Sequence, residues 1–261
     1  MKTKLSFVIS TLALIIICTS CANNETANKS AEVTEGNAIV NNTLAHENLK
    51  GKVKTVTHIY ETGMEEDGKI IPKEPQPTLI TTCFYNEEGF LNKQEAYTME
   101  NGEKKLASVT EYSYKDDKLD KAVSKNTDGN IFSTTTTAYA DNKLIETQID
   151  GKGTLSSKNI TTFSSTFKKD TLENVFFKRN MEPDYSIVRV FTYGNDGLPE
   201  KETMIPKKDG QYMGVEYYSF VTYNVISKDH QGNPTKYTIS INMADGTSYS
   251  TINTRTYEYY K

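Results

Sequence analysis

The sequence contains no tryptophan, and only three histidines and three cysteines occur among its 261 residues. His46, His58 and His230 stand at no spacing that metal sites use, and the HExxH and G-x-S-x-G motifs are both missing. We therefore expect no metal and no cofactor. Cys83 lies in the β-branched and aromatic run LITTCFY, where a small buried apolar residue is the ordinary role.

Basic charge is scarce relative to acidic charge, with 30 Lys and Arg against 34 Asp and Glu. Loss of residues 1–20 would remove Lys2 and Lys4 and no acid, which leaves 28 basic against 34 acidic residues and a net charge of −6. Binding of nucleic acid depends mainly on neutralising phosphates. We therefore expect no nucleic-acid partner.

Long apolar runs are absent after residue 20. The only such run, Leu5–Ile17, is shorter than the roughly 20 residues of a membrane-spanning helix. It follows Lys2 and Lys4 and has the layout of a secretory signal peptide. Thr19 and Ser20 directly before Cys21 resemble the lipobox of bacterial lipoproteins, although Cys18 takes the place of the usual Leu, Val or Ile.

That resemblance implies that Cys21 is acylated and becomes the first mature residue, which leaves Cys83 without a disulfide partner. Two acyl chains would anchor the protein stably to a membrane. Residues 21–48 are polar and poor in large apolar groups, as in a flexible tether. We therefore predict a signal peptide (1–20), a tether (21–48) and a single domain (49–261). We expect the protein in the cell envelope of a Gram-negative bacterium, anchored at the outer membrane.

A repeat runs through that domain, in which an aromatic residue precedes a polar turn and an apolar residue stands five places on. The aromatic anchors are Tyr85, Tyr114, Tyr139, Phe167 and Tyr193, and the apolar partners are Phe90, Leu119, Leu144, Leu172 and Leu198. We predict that these anchors are core residues. In YGNDGL (193–198), Asn195 and Asp196 are accordingly interpreted as turn residues rather than ligands.

A second class of turn alternates with the first and is typical of tight hairpins. It is formed by Asp67-Gly68, Asn101-Gly102, Asp128-Gly129, Asp150-Gly151, Asp209-Gly210 and Asp245-Gly246, with Pro183-Asp184 in one place. The runs between turns have a period of two, and STTTTAY (133–139) is almost entirely β-branched and small. The sequence therefore predicts an all-β fold, an extended antiparallel meander of roughly fourteen strands that forms an open strip, a half-barrel or a barrel.

The segments YNEEGFL (85–91) and YGNDGL (193–198) resemble the YD repeats of Rhs-type proteins. The characteristic Asp after the anchor is replaced by Asn86, Lys115, Ala140, Lys168 and Gly194. Together with GNPTKY (232–237) and RTYEYYK (255–261), the pattern also resembles uncharacterised Gram-negative lipoproteins built from degenerate YD-like units. This resemblance covers about residues 50–261 and implies a shell, spacer or adhesive surface without catalytic residues.

Three functions are compatible with this sequence. The first is a non-catalytic, lipid-anchored and monomeric envelope protein whose β-surface binds a glycan, a protein or a matrix. Tyrosines away from the anchors are the candidate binding residues, namely Tyr217, Tyr218, Tyr257, Tyr259 and Tyr260. The second is a carrier whose curled sheet encloses a lipid or another apolar ligand, with Phe84, Phe163, Phe191 and Phe220 facing inwards. A hydrolase is the third and least favoured, because no local signature marks a pair of catalytic carboxylates.

Overall fold

The computed structural model describes residues 49–261 apart from 165–167, 179 and 195–197. Cys21, the signal peptide, the tether, Phe167, Asn195 and Asp196 therefore lie outside the described residues. The described part of the chain is almost entirely β, with one short 3-10 helix at Val215–Tyr217. The strands are β1 (Val53–Glu66), β2 (Lys69–Pro72), β3 (Leu79–Tyr85), β4 (Leu91–Glu100), β5 (Glu103–Lys115), β6 (Lys118–Asn126), β7 (Ile131–Ala140), β8 (Lys143–Asp150), β9 (Leu155–Phe163), β10 (Lys169–Phe177), β11 (Pro183–Tyr193), β12 (Pro199–Lys208), β13 (Gln211–Tyr212), β14 (Ser219–Lys228), β15 (Pro234–Asn242) and β16 (Ser248–Tyr259).

The strands form one antiparallel sheet that closes on itself as a barrel of fourteen strands. Each ring strand pairs with its neighbours in sequence, and β1 pairs with β16 from Val53↔Tyr259 to Gly63↔Ser250. The short strands β2 and β13 only extend the hairpins of β1 and β12. The prediction of an all-β meander is confirmed. Of the three geometries that the sequence left undecided, the structure has the closed barrel.

The two classes of turn lie at opposite ends of the barrel. The connections β3–β4, β5–β6, β7–β8, β9–β10, β11–β12 and β14–β15 share one end with Val53 and Tyr259. We call this the floor end, and it carries the turns of the aromatic repeat. The other connections, among them Asp67-Gly68 and Asn101-Gly102, lie at the opposite end, which we call the mouth end.

Both ends of the barrel use the same two kinds of turn chemistry, since Asp116 and Asp117 at the floor both have positive φ and Asp150 at the mouth accepts a hydrogen bond from the amide of Thr154. At the mouth, Asp67 and Gly68 both have positive φ, at 50° and 71°, as do Asn101 and Gly102, which is the backbone of a type I′ turn. At the floor, the Asn86 side-chain oxygen accepts a hydrogen bond from the amide of Phe90 at 2.8 Å. Asp229 does the same for Asn233. These polar side chains therefore bind their own backbone, as their interpretation as turn residues predicts.

The aromatic anchors use their hydroxyl groups to join neighbouring hairpins. Tyr114 donates to the carbonyl oxygen of Leu91 at 2.9 Å, and Tyr193 donates to that of Lys169 at 2.6 Å. Tyr257 donates in the same way to Pro234 at 2.8 Å. In each of these three bonds the acceptor is the first residue of a strand. Tyr257 is therefore a further anchor, which the sequence pattern missed.

Burial of the anchors varies. Tyr85 is 3% exposed, in line with the predicted core position, whereas Tyr114, Tyr139 and Tyr193 are half-buried. Their rings line the floor end while their hydroxyls reach main-chain acceptors.

Candidate functional site

The inner face of the barrel is identified by polar side chains that are nevertheless fully buried. His58 on β1 lies opposite Arg255 on β16 and Thr81 on β3, and these three residues are 1%, 3% and 5% exposed. The strand register carries this face around the ring, because residues directly opposite each other in a ladder share a face. It reaches Glu202 on β12, which is 0% exposed.

Glu202 forms a bidentate ion pair with Arg189. Its carboxylate oxygens accept hydrogen bonds from Arg189 Nε at 2.5 Å and Nη2 at 2.8 Å. The Tyr223 hydroxyl donates to Glu202 Oε2 at 2.9 Å. The carboxylate raises the pKa of the Arg189 guanidinium against the opposing effect of burial, and burial together with Glu202 raises the pKa of Tyr223. All three groups are thereby held as one Arg⁺–carboxylate–phenol cluster.

A second buried cluster lies on the adjoining wall. Arg255 donates from Nε to His58 Nδ1 at 3.1 Å and from Nη2 to the Tyr237 hydroxyl at 2.7 Å. Burial, and secondarily the Arg255 guanidinium, hold the pKa of His58 well below its usual range. His58 is therefore neutral, as the hydrogen bond accepted by its Nδ1 requires.

A small cavity separates the two clusters. Tyr223, Tyr237 and Arg255 line it together with Leu198, Pro199, Val225 and Pro234. It offers only about 20 Å³ to the centre of a water molecule, which is room for a water or two. The two clusters join side chains of neighbouring strands on the wall formed by β11, β12, β14, β15, β16 and β1. The cavity between them is far too small for a lipid.

The opposite wall, formed by β5 to β10, has a different inner surface. Many of its inward residues are neutral and polar, and most of these are half-buried rather than buried. They include Thr110, Ser124, Thr135, Gln148, Ser157, Asn159 and Asn174. Barrels of eight strands are filled by their side chains, whereas barrels of sixteen or more leave an aqueous channel. Half-buried polar residues on the inside of a fourteen-stranded ring therefore indicate a lumen that water can reach.

These inward polar groups are paired with one another across the strands. Gln148 Nε2 donates to Ser133 Oγ at 2.7 Å, and Ser157 Oγ donates to Gln148 Oε1 at 2.8 Å. Asn174 Nδ2 donates to Asn159 Oδ1 at 2.9 Å. Glu146 lies on the same face, and burial raises the pKa of its carboxyl despite opposing contributions from Lys169 and Asn159.

Apolar residues are concentrated at the floor end. Buried side chains within four residues of the floor turns include Val53, Val56, Cys83, Tyr85, Leu91, Leu144, Phe163, Leu172, Phe191 and Leu198. They include two separate packed clusters, one around Val56 and Cys83 and the other around Leu144 and Phe163. The floor end is therefore the more apolar end of the barrel interior.

Exposed apolar residues are concentrated at the other end. Most of the large apolar side chains that are exposed lie at the mouth end, namely Met64, Leu106, Ile131, Phe132, Met181, Tyr212, Val215, Tyr217, Phe220, Met243 and Tyr249. Ile226 is the exposed residue of this kind near the floor among the described residues.

The outer face of the barrel carries charge along its height. Glu95 stands at the centre of β4 and pairs with Lys93 at 2.9 Å, and Glu173 stands at the centre of β10 and pairs with Lys207 at 2.9 Å. Lys125 and Glu111 form a third outer pair at 2.6 Å. A strand that crosses a bilayer presents an outward apolar band about 25 Å tall. The outer face of these strands has charged groups where that band would be.

The structure separates the tyrosines that the sequence singled out. Tyr217 is 50% exposed at the mouth, and Tyr218 beside it is half-buried. Tyr257, Tyr259 and Tyr260 lie at the floor end, half-buried, with their hydroxyls donating to Pro234, Asp229 and Tyr85 respectively. These five residues therefore do not form one surface.

The prediction that four phenylalanines face inwards is right for two of them and wrong for the other two. Phe163 and Phe191 are buried inside, at 2% and 6% exposure. Phe84 and Phe220 lie on the outer face, where the ammonium groups of Lys93 and Lys201 cover their rings at 4.3 and 4.7 Å. The reason is register: each of these residues is opposite an outward residue of the neighbouring strand.

Arg189, Glu202 and Arg255 are site residues that sequence reasoning missed. Glu202 and Arg255 lie among polar residues, so no break in the pattern marks them, whereas Arg189 interrupts the apolar run IVRVF (187–191), which is a signal that could have found it. Within the described residues, no group of three or more His, Cys, Asp or Glu side chains could hold a metal ion. That part of the chain also contains no apolar helix of membrane-spanning length.

Comparison with known proteins gives similar structures of low identity. No family model matches the sequence, and no curated protein matches it. Among solved structures, the chain is similar to a porin-like protein from Bacteroides uniformis, at 16% identity and a TM-score of 0.44, with 80% of this chain and 98% of the other covered. A porin-like protein from Bacteroides vulgatus gives 12% identity, a TM-score of 0.36 and the same coverages.

A protein of unknown function from Bacteroides fragilis gives 15% identity and a TM-score of 0.20, with 56% of this chain and 89% of the other covered. At these values the likenesses say nothing of activity, and the closure of the barrel rests on its own strand register. The resemblance to YD repeats stays a prediction.

Proposed function

We propose that the protein is a non-catalytic, lipid-anchored envelope protein that binds a polar partner and whose barrel stands in water beside the membrane. The observation that carries this proposal is the charged outer face. Placing Lys158, near the centre of β9, against lipid would cost about 2–4 kcal/mol at the bilayer midplane. Attachment to the membrane then falls to the acyl chains of Cys21.

The position of the termini supports the same arrangement. The described chain begins at the floor end, so a tether from Cys21 joins the barrel at its packed apolar floor. The mouth is the end that lies away from the point of attachment. A carrier of apolar ligands is less well supported, since the inward residues of β5 to β10 are polar and the cavity beside Arg255 is small.

Cys21→Ser tests the anchor. In a Gram-negative host, the native chain should sediment with membranes, and the Cys21→Ser chain should be found in the soluble periplasmic fraction. Cys83→Ser is the matched control, because Cys83 is a buried residue of the floor and its replacement should leave the protein with the membranes. A Cys21→Ser protein that resists extraction from membranes by alkaline carbonate would overturn the proposal.

A further inference from the structure

The two ends of the barrel interior differ in chemistry. Buried apolar side chains lie at the floor end in two separate clusters, one with Val56 and Leu91 and the other with Phe163, whereas many inward residues of β5 to β10 above them are polar and half-buried. The polar part of the lumen therefore lies on the mouth side of these apolar residues.

We propose that the lumen of the barrel, entered from the mouth, binds a neutral and hydroxyl-rich ligand of the oligosaccharide class. This inference rests on the proposed function and names the site and the class of partner. Its physical basis is the match between a wall of hydroxyls and amides and a ligand made of hydroxyls. Both sides offer hydrogen-bond donors and acceptors at similar density.

The pairing of the wall residues leaves hydrogen-bonding capacity for such a ligand. Gln148 uses one amide proton toward Ser133 and one acceptor position toward Ser157, while its amide group has two protons and two lone pairs. Thr110 and Ser124 share one hydrogen bond of 2.9 Å between two hydroxyls. Such residues are held in place by their neighbours and can still bind, which lowers the entropy cost of association.

Aromatic rings stand where a sugar ring would stack. Phe176 and Tyr185 face inwards near the mouth with ring centroids 4.7 Å apart and planes inclined by 19°. Both are half-buried, so the faces of the rings are partly open. Exposed Tyr212 and Tyr217 stand at the mouth itself. The apolar faces of sugar rings pack on such aromatic surfaces while their hydroxyls face the polar wall.

The same observations argue against ionic and apolar ligands. The charged groups of the opposite wall are already paired, as in Arg189–Glu202, and Glu146 on the wall from β5 to β10 interacts with the charge of Lys169. An apolar molecule in contact with the wall from β5 to β10 would leave the hydroxyl and amide groups of that wall without water, and each group left unpaired in this way disfavours binding.

The absence of tryptophan makes a direct test possible. Phe176→Trp in the mature chain with Cys21→Ser places the chain's single tryptophan in the lumen, where it can be excited apart from the tyrosines. Acrylamide should quench it readily, and a fluorophore shielded from acrylamide would contradict an accessible lumen. The probes are neutral hexasaccharides of glucose (α- and β-linked), xylose, mannose and N-acetylglucosamine. At least one is expected to shift the emission in a saturable way.

Matched variants decide where the sugar binds. Gln148→Leu with Asn174→Leu should weaken the binding of that sugar tenfold or more, since both amides face the lumen. Thr136→Val on the outer face of β7 should change it less than twofold. Binding that depends on Thr136 and not on Gln148 would place the ligand outside and overturn the lumen proposal while leaving the anchored binding protein intact. If none of the hexasaccharides binds, the oligosaccharide class is wrong, whatever the outcome of the fractionation of Cys21→Ser.

Discussion

Glu202→Gln is the substitution that most directly probes the polar interior. It keeps the size of the side chain and removes the charge that faces Arg189 at 2.5 and 2.8 Å. Glu202 is 0% exposed and the Arg189 side chain is 28% exposed. Removing one partner of a buried ion pair costs about 3–5 kcal/mol, because the other charge stays buried without compensation. The partial exposure of Arg189 places the expected loss near the lower value, about 3 kcal/mol.

Equilibrium unfolding in urea measures this loss. With a slope of about 2 kcal/mol per molar urea, 3 kcal/mol lowers the midpoint by about 1.5 M. Far-UV circular dichroism and tyrosine fluorescence are suitable signals for a chain with 17 tyrosines and no tryptophan. The same transition should be seen by both signals, as two-state unfolding requires.

Two comparisons isolate burial as the cause. Lys125 and Glu111 stand 2.6 Å apart, as close as the buried pair, but their side chains are 34% and 56% exposed. Glu111→Gln should therefore cost no more than about 0.5 kcal/mol. The double variant Arg189→Met with Glu202→Leu should recover most of the loss, since it removes both charges. Equal costs for Glu202→Gln and Glu111→Gln would refute the reasoning.

Two further predictions concern pH and the tyrosine hydroxyls. His58 has a lowered pKa, so the folded protein binds this proton more weakly than the unfolded chain, whose histidine pKa is about 6.5. The stabilising contribution of neutral His58 is complete above about pH 6.5 and falls by up to about 1.4 kcal/mol per pH unit below that value. His58→Gln still offers Arg255 an acceptor and should remove this contribution to the fall in stability, measured as urea midpoints at pH 7 and pH 5. An unchanged difference between the two midpoints would contradict the prediction. Tyr193→Phe removes the hydroxyl that donates to Lys169 at 2.6 Å and should cost about 1 kcal/mol in the same assay, whereas Tyr217→Phe at the exposed mouth should cost nothing measurable; equal losses would show that the hydroxyl bond has no special role.

Local patterns were enough to predict the strands, the turns and their alternation. The reason is that these features depend on neighbouring residues only. Asp67-Gly68 adopts its turn because both residues tolerate positive φ, and Asn86 forms its turn by binding the amide of Phe90. The repeat of Tyr114 and Tyr193 likewise marks the floor of each hairpin, since their hydroxyls join successive units.

Which face of the sheet turns inwards could not be predicted for most strands. A period of two identifies a face only when one side is apolar and the other polar. Here both sides are polar over β5 to β10: Thr135 faces the lumen and Thr136 faces outwards, although the two residues are identical. The same ambiguity placed Phe84 and Phe220 on the wrong side and concealed Glu202.

The sequence by itself determined an all-β meander with two kinds of turn, since turns and strand propensity are written in residues close together. Only the tertiary structure decided that the meander closes into a barrel, because closure depends on Val56 meeting Tyr257 across nearly the whole chain. Closure in turn decided what each face does. It buries Arg255 beside His58, brings the aromatic turns together at one end and encloses a lumen with a largely polar wall.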